Sequence, residues 1–443
     1  MTEQHFHRPS FKLLTPGNTV LIAIMAIGLL AAIYRFIQGL GATTNLSDQF
    51  PWGMWVAFDV ICGVALAAGG FTTAAVVYVF WGEKYHGLVR PAVLTGFLGY
   101  VFVAVGLLVD LGLPWNIWHP IINWPKHSAL FEVAWCVMLY ASVLALEFLP
   151  AVFDRFNWQW AHNLFAKLVP LYVVAALTWF TFIMSHSLPW TVAAFIMLSI
   201  LAIFLPKLIR GEHGAPILLI FAGILFSTAH QSSLGTLFLL TPDKLSHLWW
   251  TPMLPVNFYL SAVAVGFAMV IFEATLSAKS YGLPVEHDAL RGLSRILAFM
   301  LLIYLAVRVG DIAFHGNLPL LYSKMGLLFA AELLLGVIVP MVVLFSSRMN
   351  SHVWLRFGAA FLVIIGLVFN RFNVTLGAMS RPGEGFYFPG VIEIVISMAI
   401  VAAIIFFYNI MVKMFPVLPA HGEASGVHNP VSHIEGGVQH GAS

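Results

Sequence analysis

Twelve apolar runs of about 20 residues each constrain this 443-residue chain more tightly than any other feature. They lie near 18–40, 53–81, 91–113, 128–149, 163–185, 189–208, 215–240, 254–278, 291–313, 319–345, 353–371 and 388–413. Each is long enough to cross a hydrocarbon core ~30 Å thick. Lipid offers no water to unpaired N–H and C=O groups, so each run must close its own hydrogen bonds as a helix. The expected fold is all-α, a polytopic transmembrane helix bundle. Only 9% of the residues are charged, against about 25% in soluble domains. The net charge of +2 points to no nucleic-acid partner. The first run contains Arg35 and Gln38 and lacks a small-residue cleavage site after it, so a retained helix is expected rather than a signal peptide.

The basic residues set the expected orientation. With the N-terminus in the cytoplasm, 14 of the 21 Lys and Arg fall on the cytoplasmic side, in every even-numbered connection and near both termini. The positive-inside rule then places both termini in the cytoplasm, across a cell inner membrane. Residues 1–17 read as a cytoplasmic N-terminal segment. Residues 414–443 read as a disordered cytoplasmic tail, too polar and Gly/His-rich to fold. The opposite face carries Trp- and Pro-rich loops, among them Phe50–Trp55, Pro114–Pro120 and Leu248–Trp250. Interfacial anchoring accounts for most of these tryptophans, and the length and apolar content of the loops also suit docking of a partner.

Eight acidic side chains nevertheless fall inside the apolar runs: Asp59, Asp110, Glu132, Glu147, Glu273, Asp311, Glu332 and Glu393. A carboxyl group in hydrocarbon costs at least ~2.5–3.5 kcal/mol on insertion scales, so it is rarely kept without a use. The expected use is the movement of protons, ions or a polar redox group. Arg35 and Gln38 lie one turn apart near the outer end of the first run, and Asp59 about two turns inside the second. Tyr100 is central in the third, with Asp110 near its outer end and Trp115 and His119 just beyond. Glu132 opens the fourth, where Cys136 and Tyr140 share its face. Glu147 returns to within ~60° of that face roughly 22 Å along the axis.

A quinone needs an apolar groove, partners for two carbonyls and acid–base groups for two protons. Tyr, His and carboxylates near one membrane face supply them. A carboxylate at the far end of the same helix supplies a route for protons from the other side. Further along, His230 stands with Gln231, Ser232 and Ser233 inside the seventh run. Arg308 and Asp311, spaced i,i+3, are expected to pair. Glu332 sits near mid-span, Glu393 near the outer end of the last run, and Arg371 within Asn370–Asn373 at the close of the eleventh. These form either a second polar track or ordinary helix–helix contacts. Structural readings compete in the first four runs as well. Arg35 with Asp59 or Glu132 would make a buried ion pair, Asp110 would end its helix, and the tyrosines would only pack.

Cys62 and Cys136 are the only cysteines and lack the spacing of an iron–sulfur or zinc site, so no metal ligand set is expected. Any cluster that delivers electrons must then belong to a partner. A bis-histidine haem needs two facing histidines. Only His230 lies well inside a run, and His186 at a turn and His119 in a loop are poor second ligands, so no haem is expected.

Several strings together resemble a known family. They are Phe50–Asp59 (FPWGMWVAFD), Gly63–Phe71 (GVALAAGGF), Arg90-Pro91 through Pro114–Pro120 (PWNIWHP), Phe131–Tyr140 (FEVAWCVMLY), His230–Leu240 (HQSSLGTLFLL) and Asn370–Val374 (NRFNV). They resemble the integral-membrane subunit of hydrogenase-2-type NiFe hydrogenases, in the NrfD-like superfamily that includes the membrane subunit of polysulfide reductase. The resemblance covers roughly residues 15–413. It implies about 12 spans, ten plus an inserted hairpin, with two four-helix bundles at the core. Residues 18–155 would form the first bundle with a quinone pocket, 156–213 the hairpin that many relatives lack, and 214–413 the second bundle.

The resemblance further implies a haem-free subunit that exchanges electrons between menaquinone and an extracytoplasmic, ferredoxin-like iron–sulfur subunit. Beyond that subunit would stand a NiFe hydrogenase or a multihaem cytochrome. Asp59 and Glu132 match the family's acidic positions and would handle quinone protons. Arg35, Gln38, Tyr100, Asp110, Trp115, His119 and Tyr140 would surround the headgroup. Glu147, His230, Arg308, Asp311, Glu332 and Arg371 would link the site to the cytoplasm. Two rivals stand beside this reading. One is a secondary transporter, whose site should lie at broken helices near mid-membrane. The other is a purely structural membrane anchor.

Overall fold

A computed structural model describes residues 6–7, 12–47, 50, 52–80, 82–125, 128–208, 214–242, 244–377 and 387–419. Among them, eleven helices are long and apolar enough to cross a membrane, and a twelfth is shorter. In chain order they are α1 (Pro16–Gln38), α2 (Trp55–Val79), α3 (Lys84–Asp110), α4 (Leu130–Phe156), α5 (Gln159–Ser185) and the short α6 (Leu188–Phe204). Then follow α7 (Leu218–Leu240), α8 (Leu254–Tyr281), α9 (His287–Phe314), α10 (Lys324–Phe345), α11 (Val353–Thr375) and α12 (Val391–Met414). The all-α, polytopic fold expected from the apolar runs is the one found.

Local chemistry sets the ends. Thr15 caps α1 before Pro16, and Ser128 accepts the Phe131 N–H at the start of α4. Asn157 ends α4 and His186 ends α5 in the left-handed conformation, so His186 serves the turn into α6 and is exposed. Residues 415–418, expected to lie in the tail, are packed. Phe415, Val417 and Leu418 are buried, and Leu418–Pro419 pairs antiparallel with Phe6–His7. Residues 420–443, with the tail histidines, lie outside the described residues, as do Arg8, Lys126, Arg210 and Arg381.

Helices α2, α3, α4 and α7 close one ring of contacts, and α8, α9, α10 and α11 close a second. The two rings meet where α8 and α11 pack on α2. Helices α1 and α12 pair along one flank, against α3, and the α5–α6 hairpin lies on α4 and α7. Burial follows from this plan: 83% of the apolar stretch of α2 and 72% of that of α8 are inside, against 11% for α1. Side chains such as Leu29, Leu30 and Ile37 on α1 and Trp190, Phe195 and Met197 on α6 are exposed, as lipid-facing groups should be.

Helix α2 owes its central place to Gly63, Ala65, Ala67, Ala68, Gly69 and Gly70, which let neighbours approach its backbone. A Cβ on Gly69 would stand 3.2 Å from the Gly266 carbonyl of α8. The helix is irregular. It is widened to i→i−5 bonding over Trp55–Cys62 and Ala75–Val79, and it breaks at Ala67–Ala68, where the Ala68 N–H turns to the Ala65 carbonyl at 3.1 Å. That turn leaves the Val64 carbonyl to the Gln231 side chain of α7, at 2.9 Å.

A close backbone-to-backbone crossing joins α10 and α11, where a Cβ on Gly366 would stand 2.3 Å from the Gly336 Cα. Backbone cannot yield there as a side chain would. Gly366→Leu is expected to destabilise the purified protein by about 1–3 kcal/mol or more, read as a lowered midpoint of thermal unfolding in detergent. An unchanged midpoint would remove this crossing from the account of stability.

Candidate functional site

Three polar centres lie within the helices. The first is between α3, α4 and α7. The Tyr100 and Tyr140 rings meet edge to face at 4.7 Å between centroids, and His230 lies 5.7 Å from Tyr100. Tyr100, Tyr140, Ser227, His230 and Gln231 are all at most 1% exposed. Ser227 and Gln231 flank the Tyr100 hydroxyl, and Ser227 also flanks that of Tyr140. Yet both tyrosine hydroxyls, the Ser227 hydroxyl, both His230 ring nitrogens and the Gln231 Oε1 make no well-formed hydrogen bond. Each such group left dry costs about 1–3 kcal/mol, so six in one place mark a centre built to hold water or a polar ligand.

Helix α4 threads this centre. Glu132, in its first turn at the Trp-rich end, is half-buried and faces Cys136 one turn on. Cys136 neighbours Tyr100, Tyr140 follows on the same face, and Glu147 faces Tyr140 from the other side. A single helix thus lines up carboxylate, thiol, phenol and carboxylate across the membrane. Near Glu147 level, Glu273 of α8 accepts the Thr95 hydroxyl at 2.6 Å.

The second centre is at the Trp-rich end, where α1, α2, α3 and α12 converge. Asp59 is 4% exposed; its Oδ2 accepts the Ser397 hydroxyl at 2.5 Å and its Oδ1 has no partner. Arg35 does not pair with Asp59 or Glu132. Its Nη2 donates to the Leu111 carbonyl at 2.6 Å, and its charge faces Asp110. Glu393 fastens this corner: it accepts the Tyr387 hydroxyl, the Gly390 N–H at 2.8 Å and the Asn45 N–H at 3.0 Å.

The third centre belongs to α8–α11. Glu332, 3% exposed, accepts Trp249 Nε1 at 2.9 Å, Asn370 Nδ2 at 2.6 Å and Asn373 Nδ2 at 2.8 Å. Arg308 Nη2 lies 3.8 Å from the same carboxylate. Arg371 donates to Asn370 Oδ1 at 2.8 Å and Ser261 Oγ at 2.9 Å, and stacks on Phe258 at 3.7 Å. The expected Arg308–Asp311 pair is not made. Asp311 instead accepts the Thr251 hydroxyl at 2.8 Å, with His315 Nδ1 at 3.1 Å. Their i,i+3 spacing permitted the pair, but the bundle turns Arg308 inward to Glu332.

Of the remaining expected residues, His119 is half-buried against Trp118, with ring centroids 4.6 Å apart. Trp115 and Gln38 are exposed, apart from the Tyr100 centre. Ser227, Ser397, Tyr387 and Trp249 were not singled out from sequence. Ser397 had a signal, since it follows Glu393 by one turn on the same face, and so had Ser227, one turn before His230 and Gln231; for the other two no local pattern marks the contact.

Eleven apolar helices with polar centres buried among them define an integral membrane protein of the helical-bundle class. The family model "Polysulphide reductase, NrfD" matches residues 42–382, and the chain belongs to that family. A protein of Nitratidesulfovibrio vulgaris is 34% identical over 94% of this chain and 98% of its own length. The probable Ni/Fe-hydrogenase 2 b-type cytochrome subunit of Escherichia coli is 30% identical over 92% of this chain and 94% of its own. The integral membrane subunit of menaquinone reductase, also from Nitratidesulfovibrio vulgaris, is 27% identical over 89% and 90%.

Proposed function

We propose that this chain is the quinone-reactive membrane subunit of a respiratory oxidoreductase of hydrogenase type, exchanging electrons between an extracytoplasmic iron–sulfur subunit and menaquinone. The observation that carries the reading is the set of buried, unpartnered polar groups at Tyr100, Tyr140, Ser227, His230 and Gln231, flanked along α4 by Glu132 and Glu147. Menaquinone takes up two electrons and two protons on reduction. Glu132, half-buried near the Trp-rich end, and Asp59, with one free oxygen, are the acid–base groups. Tyr100 and Tyr140 are hydrogen-bond donors to the headgroup. Arg35 and Asp110 hold the neighbouring corner, and His119 and Trp115 belong to its rim.

Electrons are exchanged at the Trp-rich end, where Trp115, Trp118, Ile121, Ile122 and Trp124 offer an exposed apolar edge to a ferredoxin-like subunit bound to a hydrogenase or multihaem cytochrome. The basic end faces the cytoplasm of a cell with this protein in its inner membrane. Protons reach the quinone from there through Glu147 and His230, which makes the step electrogenic. Arg308, Asp311, Glu332 and Arg371 have a different task. Glu332, which accepts three hydrogen bonds and lies 3.8 Å from Arg308, and Arg371, which donates to Asn370 and Ser261, tie the helices of the second bundle together, and Asp311 holds Thr251.

The name of the Escherichia coli relative raises the question of a b-type haem. The ring packed beside His230 is that of Tyr100, at 5.7 Å between centroids, and a bis-histidine haem would need a second histidine on a facing helix, so the reading proposed here is haem-free. A photoreactive menaquinone analogue is expected to label α3, α4 and α7 peptides in the intact complex. Labelling confined to a partner subunit would leave only an anchor, and solute uptake by this chain in liposomes would favour a transporter.

A further inference from the structure

The basic end of α8–α11 gathers cations without counter-charge. Arg356 is 1% exposed; its Nη1 donates to the Asn350 carbonyl at 3.0 Å, while Nε and Nη2 have no acceptor. The Asn350 side chain reaches α9, accepting the Ser294 hydroxyl at 2.9 Å and donating to the Arg291 carbonyl at 3.5 Å. The half-buried Arg291 and the buried Arg356 therefore face one another as like charges. Arg348, exposed, lies in the same Ser347–Asn350 turn. Lys84 reaches this side of α9, its Nζ 3.0 Å from where a Cβ on Gly292 would stand. Lys279 lies over the Trp354 ring at 4.7 Å.

None of these five cations forms an ion pair with a described carboxylate. Asp288, one turn before Arg291, makes none, and neither does Glu286. A buried guanidinium beside a second one is costly unless an anion compensates both. At the depth of the headgroups the abundant fixed anion is a lipid phosphate, and the planar fork of Arg suits its oxygens. Trp354 and Leu355, 58% and 46% exposed, stand next to the cluster where acyl chains would run.

We propose that Arg291 and Arg348, set in the field of Arg356 around the Asn350 turn, bind the phosphate of an anionic phospholipid, with Lys84 and Lys279 at the rim. The site does not depend on the quinone reading. In native mass spectrometry of the full chain in mild detergent, phosphatidylglycerol is expected to stay bound where phosphatidylcholine is lost, and to raise the unfolding midpoint. The double variant Arg291→Gln/Arg348→Gln should bind phosphatidylglycerol roughly tenfold more weakly, about 1.4 kcal/mol. Arg155→Gln, at another exposed cation of the same membrane face, should bind as the native chain does. Arg348→Gln alone, fully at the surface, serves if the double variant does not accumulate. Equal retention of phosphatidylcholine, or undiminished binding by the variants, would overturn the proposal. Equal stabilisation by inorganic phosphate would reassign the site to a free anion.

Discussion

The Glu132→Gln variant is expected to lose quinone-linked turnover by about 10²–10⁴-fold, the usual contribution of a positioned acid–base group. The assembled complex should still pass electrons to an artificial dye that needs no proton from the site. Gln keeps the size and much of the hydrogen bonding of Glu but cannot exchange a proton, so helix α4 and its Ser128 cap should remain intact. Glu132 is suited to the task because it is half-buried, next to Cys136 and on the face that carries Tyr140. Full quinone activity in this variant would take Glu132 out of the mechanism and leave Asp59 as the acid–base group.

The largest effect on stability is expected at Glu332. Glu332→Ala removes the acceptor for Trp249, Asn370 and Asn373 and the counter-charge of Arg308 at once. Breaking a buried pair by removing one partner costs about 3–5 kcal/mol, because the other charge stays behind. Gln should not rescue it, since its amide nitrogen would face a donor on one side where the carboxylate presents acceptors to both. Both variants should show a strongly lowered unfolding midpoint and reduced accumulation in membranes. If the Gln variant were as stable as the native protein and lost only quinone-linked proton uptake, Glu332 would be a proton carrier rather than a structural tie.

The two expectations differ in how far sequence could reach. Glu132 is legible because it stands alone, an acid opening an apolar run with Cys136 and Tyr140 on its face at helical spacing. The Glu332 network is not, because its members come from positions 249, 308, 332, 370 and 373, and only 370 and 373 stand at helical spacing. Spacing along one helix even suggested the wrong partner for Arg308. Local spacing says which groups can touch on an isolated helix, whereas a buried charge takes the partner that packing brings nearest. The break in α2 was equally hidden, since Ala67–Ala68 is ordinary helical sequence and only the missing Ala68–Val64 bond, replaced by Gln231, reveals it.

The twelve spans and the sites of their buried acids were written in the sequence, because a backbone in lipid must satisfy itself run by run and apolar length alone sets where it does so. Which acids are held fast and which keep an open oxygen was decided by tertiary structure. Asp59 keeps a free Oδ1 and Glu332 has none, although both are carboxylates buried in apolar helices. The difference lies in donors supplied by other helices, and those arrive only when the bundles close.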